Sequence, residues 1–384
     1  MAGYPRIRVG GTPFERGRQY GEQASQQVAH SRRGYEESFA QKGISWQAAL
    51  EQAAPHGDAI RASFPEIWQE IEGIAAGSGW PVADILALNC RTEILWSAYT
   101  AAAAPGASAG SECSSFAVAP SHTRDGNTLL GQNWDWLVHA FESVVVLEVE
   151  REDGPNYVTI VEAGLLGKTM LNSAGLGMCV NTLVTTRDGH APGIPFHVML
   201  RALADAEHVF DAVEMLAAHQ RASSGNYVLA SADGAILNVE VEPGGPEGVH
   251  PVLQVHGRTA HTNHFLSALH SGSDLAPLAM SDSYVRLARL HQSLGESGGV
   301  GVHELEAALK DHSDFPGSIC CHPDPRSPAP SQWASIMSVI MDVGARTLHL
   351  AEGNPCSTER RTWDYSDFLG EAAGGAQHPP RVAS

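Results

Sequence analysis

Long apolar runs are missing from this 384-residue chain. No stretch reaches the roughly eighteen consecutive apolar residues that a membrane-spanning helix requires, so no membrane association is expected. The opening Met1-Ala-Gly-Tyr-Pro-Arg-Ile-Arg-Val9 has no apolar signal-peptide core, and the expected compartment is the cytoplasm. Positive charge is scarce as well: 24 Lys and Arg face 43 Asp and Glu, a net charge of −19. A field of that sign repels nucleic acid, which is not expected as a partner. Cysteine is sparse and scattered, at positions Cys90, Cys113, Cys179, Cys320, Cys321 and Cys356. Without a secretory signal, free thiols are the default.

Several site signatures are absent too. There is no Walker-type lysine after a Gly-rich loop and no strand-borne Gly-x-Gly-x-x-Gly, so nucleotide cofactors are not indicated and no cofactor is expected. The lack of a Gly-x-Ser-x-Gly elbow disfavours an α/β-hydrolase. His261 and His264 would share a helical face, but their stretch does not read as helix. Cys320, Cys321 and His322 lack Cys-x-x-Cys spacing, and no further ligand is evident. No metal site is expected.

What is present is a core-forming chain, 43% hydrophobic and long enough for one large domain or two. Residues 12–98 read mostly as helix: Thr12-Pro-Phe-Glu15 has the shape of a capping box, and Pro65 opens a new helix. Asp84 is expected to cap a helix running through Trp96. A tract of small residues, Ala101 to Gly110, then interrupts the pattern. Such residues cannot pack a core element, and 98–112 reads as a linker. Beyond it, β-rich runs alternate with helix pairs. Strands are expected at 143–150, 157–162, 227–231, 236–242, 336–341 and 347–352, and helices at 196–206, 209–219, 283–292 and 302–311. The fold class is α+β, with helices layered on antiparallel sheets. The low-complexity stretch 371–384 reads as a disordered tail.

The chain is organised around Gly110-Ser-Glu-Cys-Ser-Ser-Phe-Ala-Val118. A thiol stands at the first residue of a strand, directly after the linker. A turn at Arg124-Asp-Gly-Asn127 leads back through Gly131-Gln-Asn-Trp-Asp-Trp136. A lone cysteine is more often a small buried hydrophobe. A cut before Cys113, however, would give it a free α-amino group of pKa about 7.7–8.0, making nucleophile and base one residue.

Cys-Ser-Ser-Phe followed by Gly-Gln-Asn-Trp-Asp-Trp resembles the acyl-coenzyme A:6-aminopenicillanate acyltransferase family of self-cleaving N-terminal-nucleophile (Ntn) hydrolases. The likeness extends to Glu15-Arg-Gly-Arg-Gln-Tyr-Gly21, Ile71-Glu-Gly-Ile-Ala-Ala-Gly77, Leu86-Ala-Leu-Asn-Cys-Arg-Thr-Glu93, His261-Thr-Asn-His-Phe265 and Gly353-Asn-Pro-Cys356. Glu112 departs from the pattern: the penicillin enzyme has Gly there. The resemblance implies a four-layer αββα sandwich. It implies self-cleavage between Glu112 and Cys113 into residues 1–112, a helical small chain, and 113–370, the catalytic domain, with the two chains staying associated.

It also implies site residues. Cys113 is the nucleophile. Asp135 orients its α-amine. Asn263 donates its amide to the oxyanion, with the backbone of Asn181 as a second donor. Asn133 satisfies groups beside the site. His264, together with His312 and Cys321 of a pocket-lining loop, is expected to touch substrate. The expected activity is hydrolysis of a small-molecule amide, or transfer of its acyl group to an amine, through an acyl-Cys113 intermediate. The alternatives are an acyl-CoA-dependent N-acyltransferase and a catalytically silent binding protein of the same fold.

Overall fold

The computed structural model describes residues 3–102, 113–189, 192–254, 256–295 and 298–370. Glu112, most of the expected linker and the 371–384 tail lie outside these residues.

Among the described residues before Cys113 there are six helices: α1 (Pro13–Gln23), α2 (Ser25–Gln41), α3 (Trp46–Ser63), α4 (Pro65–Ser78), α5 (Val82–Asn89) and α6 (Arg91–Ala102). The Thr12 capping box forms: Thr12 Oγ1 accepts from the Glu15 N–H, and Glu15 Oε2 accepts from the Thr12 N–H at 2.9 Å. Pro65 opens α4 as expected. Asp84 does not cap a helix through Trp96. It lies inside α5, which ends at Asn89, and its carboxylate accepts from Arg32 and from the Trp46 indole. Residues 98–102, assigned above to the linker, belong to α6.

Before these helices comes a strand that the sequence reading missed, β1 (Arg6–Val9). Thirteen follow: β2 (Ser114–Val118), β3 (Leu129–Leu137), β4 (Val144–Val149), β5 (Tyr157–Glu162), β6 (Thr169–Asn172), β7 (Leu176–Thr182), β8 (Gly225–Ser231), β9 (Ile236–Val241), β10 (Val249–Val252), β11 (Arg258–His261), β12 (Trp333–Asp342), β13 (Thr347–Ala351) and β14 (Arg360–Asp364). They form two sheets. The first has the order β1-β4-β5-β6-β7-β8-β9-β10, and the second β11-β2-β3-β12-β13-β14. Pairing is antiparallel except for β1, which runs parallel to β4. β1 thus ties the first residues of the chain into a sheet otherwise built from residues after Cys113. The later helices are α7 (Phe196–Ala202), α8 (Val209–Ala218), α9 (Ala276–Ala279), α10 (Ser283–Leu294), α11 (Val302–Leu309) and α12 (Ser366–Gly370).

Strands β2 and β3 are buried along their whole length, so both faces of the second sheet are covered. One set of alternating residues, Ala117, Leu130 and Trp134, packs with Val180 and Val228 of the first sheet. The other set, Phe116, Val118 and Leu129, packs with Leu290 of α10 and Leu305 and Leu309 of α11. The far face of the first sheet carries the N-terminal helices, where Tyr20 and Ser31 bond backbone carbonyls of the β5 end. The order is helix, sheet, sheet, helix: the αββα sandwich. Among the described residues no helix is long and apolar enough to cross a membrane.

Two of the quoted motifs turn out to be a packing device. α1 and α4 cross at their glycines. A Cβ on Gly73 would lie 2.2 Å from the Phe14 carbonyl oxygen, and one on Gly77 2.0 Å from that of Arg18. Gly17 and Gly21 meet the α4 backbone in the same way. Beside the seam Glu70 receives both Arg16 and Arg201, the latter at 2.8 Å through two nitrogens.

Gly73→Ala would add about 1 kcal/mol of helix propensity if the site were open. Here the methyl group meets backbone that cannot turn away. The variant is expected to lose about 2 kcal/mol or more in denaturant unfolding, and a gain in stability would refute the seam.

Candidate active site

Cys113 stands just before β2, 1% exposed, in the core between the two sheets together with Trp134 and Cys179. Its carbonyl oxygen is held twice, by Asn181 Nδ2 at 2.9 Å and by Arg286 Nη1 at 3.1 Å. Asn181 is set in β7 opposite Asn226 of β8. Its Oδ1 accepts from Ser115 Oγ at 2.5 Å and from Asn226 Nδ2 at 3.1 Å. The contact with Cys113 is made by the Asn181 side chain.

Arg286 lies on α10 and is fully buried. Besides the Cys113 carbonyl, Nη1 reaches Ser114 Oγ at 3.1 Å, Nη2 donates to Asn263 Oδ1 at 2.9 Å, and Nε donates to Asp282 at 2.7 Å. Burial opposes its charge, but the Asp282 and Asp135 carboxylates outweigh that and hold its pKa above the ordinary arginine value. Asn263 completes the web through Nδ2, which donates to the Thr182 carbonyl at 2.9 Å. An amide nitrogen carries two N–H groups, and this bond uses one.

Asp135 is fully buried on β3, paired in register with Ser335 of β12, whose hydroxyl donates to Asp135 Oδ1. The same hydroxyl accepts from the Cys321 N–H at 2.9 Å. Asn133 sits two residues earlier on the same face. Its Nδ2 donates to the carbonyls of Leu309 and Ile319, at 2.8 and 2.7 Å, which tethers α11 and the loop after it to the sheet.

The three substrate-contact expectations separate. His264 lies beside the web: its Nδ1 meets Ser283 Oγ at 2.8 Å and its ring stacks on Tyr284. Burial, helped by His261 and Arg286, pushes its pKa down to about 4, so it is neutral at neutral pH. Cys321 joins the shell through Ser335. His312 is exposed and pairs instead with His322, Nε2 to Nε2 at 3.1 Å.

The sequence reading missed Arg286, although a signal was available. Positions 283, 286, 290 and 294 form the buried stripe of α10. An arginine on an apolar stripe is a charge that something inside must satisfy.

A cavity of about 500 Å³ opens where β3 ends, lined by Trp136, Trp333, Leu137 and, from α6, Trp96 and Tyr99. Cys113 does not line it.

The model of the family described as acyl-coenzyme A:6-aminopenicillanic acid acyl-transferase matches residues 122–357. The chain belongs to this family. It is 28% identical over 359 residues to the 40 kDa form of the acyl-coenzyme A:6-aminopenicillanic-acid-acyltransferase of Emericella nidulans, covering 90% of this chain and 91% of that one. Among solved structures it is similar to a variant of the conjugated bile acid hydrolase of Clostridium perfringens, with a TM-score of 0.47 and 12% identity over 69% of this chain and 95% of that one. A second is the penicillin V acylase of Agrobacterium tumefaciens, with a TM-score of 0.41 and 13% identity over 66% and 86%. Membership makes the protein an acyl-transfer enzyme.

Arg286→Met would take one donor away from each of Asp282, Asn263 Oδ1 and the Cys113 carbonyl. Breaking such a buried pair is expected to cost about 3 kcal/mol in chemical denaturation. Arg286→Lys is expected to recover only part, because an ammonium cannot reach three acceptor groups in one plane. Full recovery by lysine would show that charge alone is required.

Proposed function

We propose that the protein is a self-processing cysteine N-terminal-nucleophile enzyme that hydrolyses a small-molecule amide through an acyl-Cys113 intermediate. The observation carrying this reading is the two-donor clamp on the Cys113 carbonyl, which fixes this residue at the start of β2 in the middle of the sandwich.

In the intact chain the Cys113 thiol adds to the Glu112 carbonyl. The amide nitrogen takes the thiol proton as its bond to that carbon breaks, leaving a thioester. Water hydrolyses the thioester to give residues 1–112 and a chain that begins with a free Cys113 amine and thiol. Pairing of β1 with β4 and the burial of α2 against β5 support continued association of the two pieces.

In turnover the amine, of reference pKa about 7.7–8.0, accepts the thiol proton, with Asp135 orienting it. The thiolate attacks the substrate carbonyl. The second N–H of Asn263 stabilises the oxyanion: an uncharged donor does so without protonating the thiolate. The amine then protonates the leaving nitrogen, and water releases the acyl group.

A second reading, acyl transfer from coenzyme A to an amine, is favoured by the name of the Emericella nidulans relative. Hydrolysis leads because a chain of net charge −19 repels the coenzyme's phosphates.

Intact-mass measurement is expected to find two pieces, the larger beginning Cys-Ser-Ser-Phe, with Cys113→Ala uncut and without turnover. A fully active preparation that remains one chain would overturn the role of the α-amine. Asn263→Ala is expected to lower kcat about 100–1000-fold per folded molecule with a smaller change in KM. Near-normal kcat would make Asn263 a support for Arg286 alone.

A further inference from the structure

Outside the nucleophile's web the structure gathers a second set of reactive side chains. His312 and His322 belong to the loop between α11 and β12, as does Cys320. Cys356 comes from the turn after β13. The donor atoms of the four lie within 4.8 Å of one another. His322 Nε2 is 3.1 Å from His312 Nε2, 3.4 Å from Cys320 Sγ and 3.4 Å from Cys356 Sγ.

We propose that His312, Cys320, His322 and Cys356 form a structural zinc site. Tetrahedral zinc, with bonds of roughly 2.0–2.1 Å to nitrogen and 2.3 Å to sulfur, spaces its ligands at about 3.3 Å for N–N and about 3.6 Å for N–S. The three separations match these edges to within a few tenths of an ångström, so the ligands need little rearrangement. Two soft thiolates and two imidazoles in this geometry select zinc over hard cations. With both thiols deprotonated, their charges cancel that of Zn²⁺, and binding releases two protons to solvent without any redox change. Four protein ligands close the coordination sphere and leave no position for substrate or water, which makes the site structural rather than catalytic.

The surroundings suit that role. Asn354 lies beside Cys320 Sγ at 4.0 Å, and its Nδ2 donates to the Cys321 carbonyl at 2.7 Å, linking the two ligand-bearing segments. The Phe315 ring lies against both imidazoles, with centroids 6.2 and 5.3 Å away. The metal's task follows from the next residue along. Cys321 bonds through its N–H to Ser335, which in turn holds Asp135. A zinc ion would pin the loop that shapes this side of the nucleophile's surroundings. His312 is then a metal ligand, not a substrate contact.

The site does not depend on self-cleavage or on the reaction catalysed, and its test does not use activity. Full-length protein purified without chelator is expected to carry one equivalent of zinc by elemental analysis. Stripped under reducing conditions and titrated with Co²⁺, it should show thiolate-to-cobalt charge transfer and intense tetrahedral d–d bands that saturate at one equivalent and vanish when zinc is added. Cys356→Ser and His312→Ala, both at exposed positions, should lose the metal while keeping the wild-type circular dichroism. The cobalt spectrum of the unaltered protein stands even if a variant fails to fold. Absence of cobalt bands in the reduced protein would overturn the proposal. So would a Cys320–Cys356 disulfide in the isolated protein, or metal content unchanged by both substitutions.

Discussion

A guanidinium buried inside a protein must have its donors met there, because water is not available to replace a missing partner. Arg286 meets this demand with four groups from three places: Asp282 just before its own helix, the Cys113 carbonyl with the adjacent Ser114 hydroxyl, and the Asn263 amide. Arg286 and Cys113 are 173 residues apart in sequence, yet one planar side chain sets the mutual distances of these groups. Neither the start of β2 nor the loop after β11 can shift without taking an acceptor away from the buried guanidinium. Asn181 adds the same constraint from the first sheet. The position of Cys113 is thus a property of the packed sandwich, not of its own strand.

The helical layer is just as firmly joined. Arg91, from the Leu86–Glu93 motif, forms a fully buried ion pair with Glu162 at 2.8 Å. Tyr35 donates to the same carboxylate and accepts from the Trp136 indole at 2.7 Å. Arg91 also lies 3.8 Å over the Trp136 ring. A chain of contacts therefore runs from α6 and α2 through β5 to β3, the strand of Asn133 and Asp135. Residues before Cys113 support the strand that faces the nucleophile, and the αββα layering depends on both parts of the chain.

On the opposite flank, Asn133 and Ser335 act as posts for the loop after α11. Both spend their hydrogen bonds on loop backbone, at Ile319 and Cys321 respectively. Polar residues inside a sheet are costly unless paired. Here the pairing converts that cost into a defined loop position, and the cluster of His312, Cys320, His322 and Cys356 sits at its outer end.

Local pattern was enough to read the helices from Thr12 onward, the hairpins after the small-residue tract, the α+β class and the thiol that heads a strand. These depend on caps, periodicity and turn residues that lie close together in sequence. The short strands β1, β10, β11 and β14 were not legible, because four or five residues carry too little periodicity and their pairing depends on distant partners. The glycines of Gly17 and Gly73 could be seen as motifs, but not as a helix crossing, since a crossing belongs to two helices at once. Cys320 and His322 looked incomplete as metal ligands because Cys356 lies 34 residues beyond His322. The sequence by itself determined the α+β class and most of the longer helices and strands. Only the tertiary structure decided which of them meet. Strand order and sheet stacking bring together groups far apart along the chain, and no local pattern encodes that order.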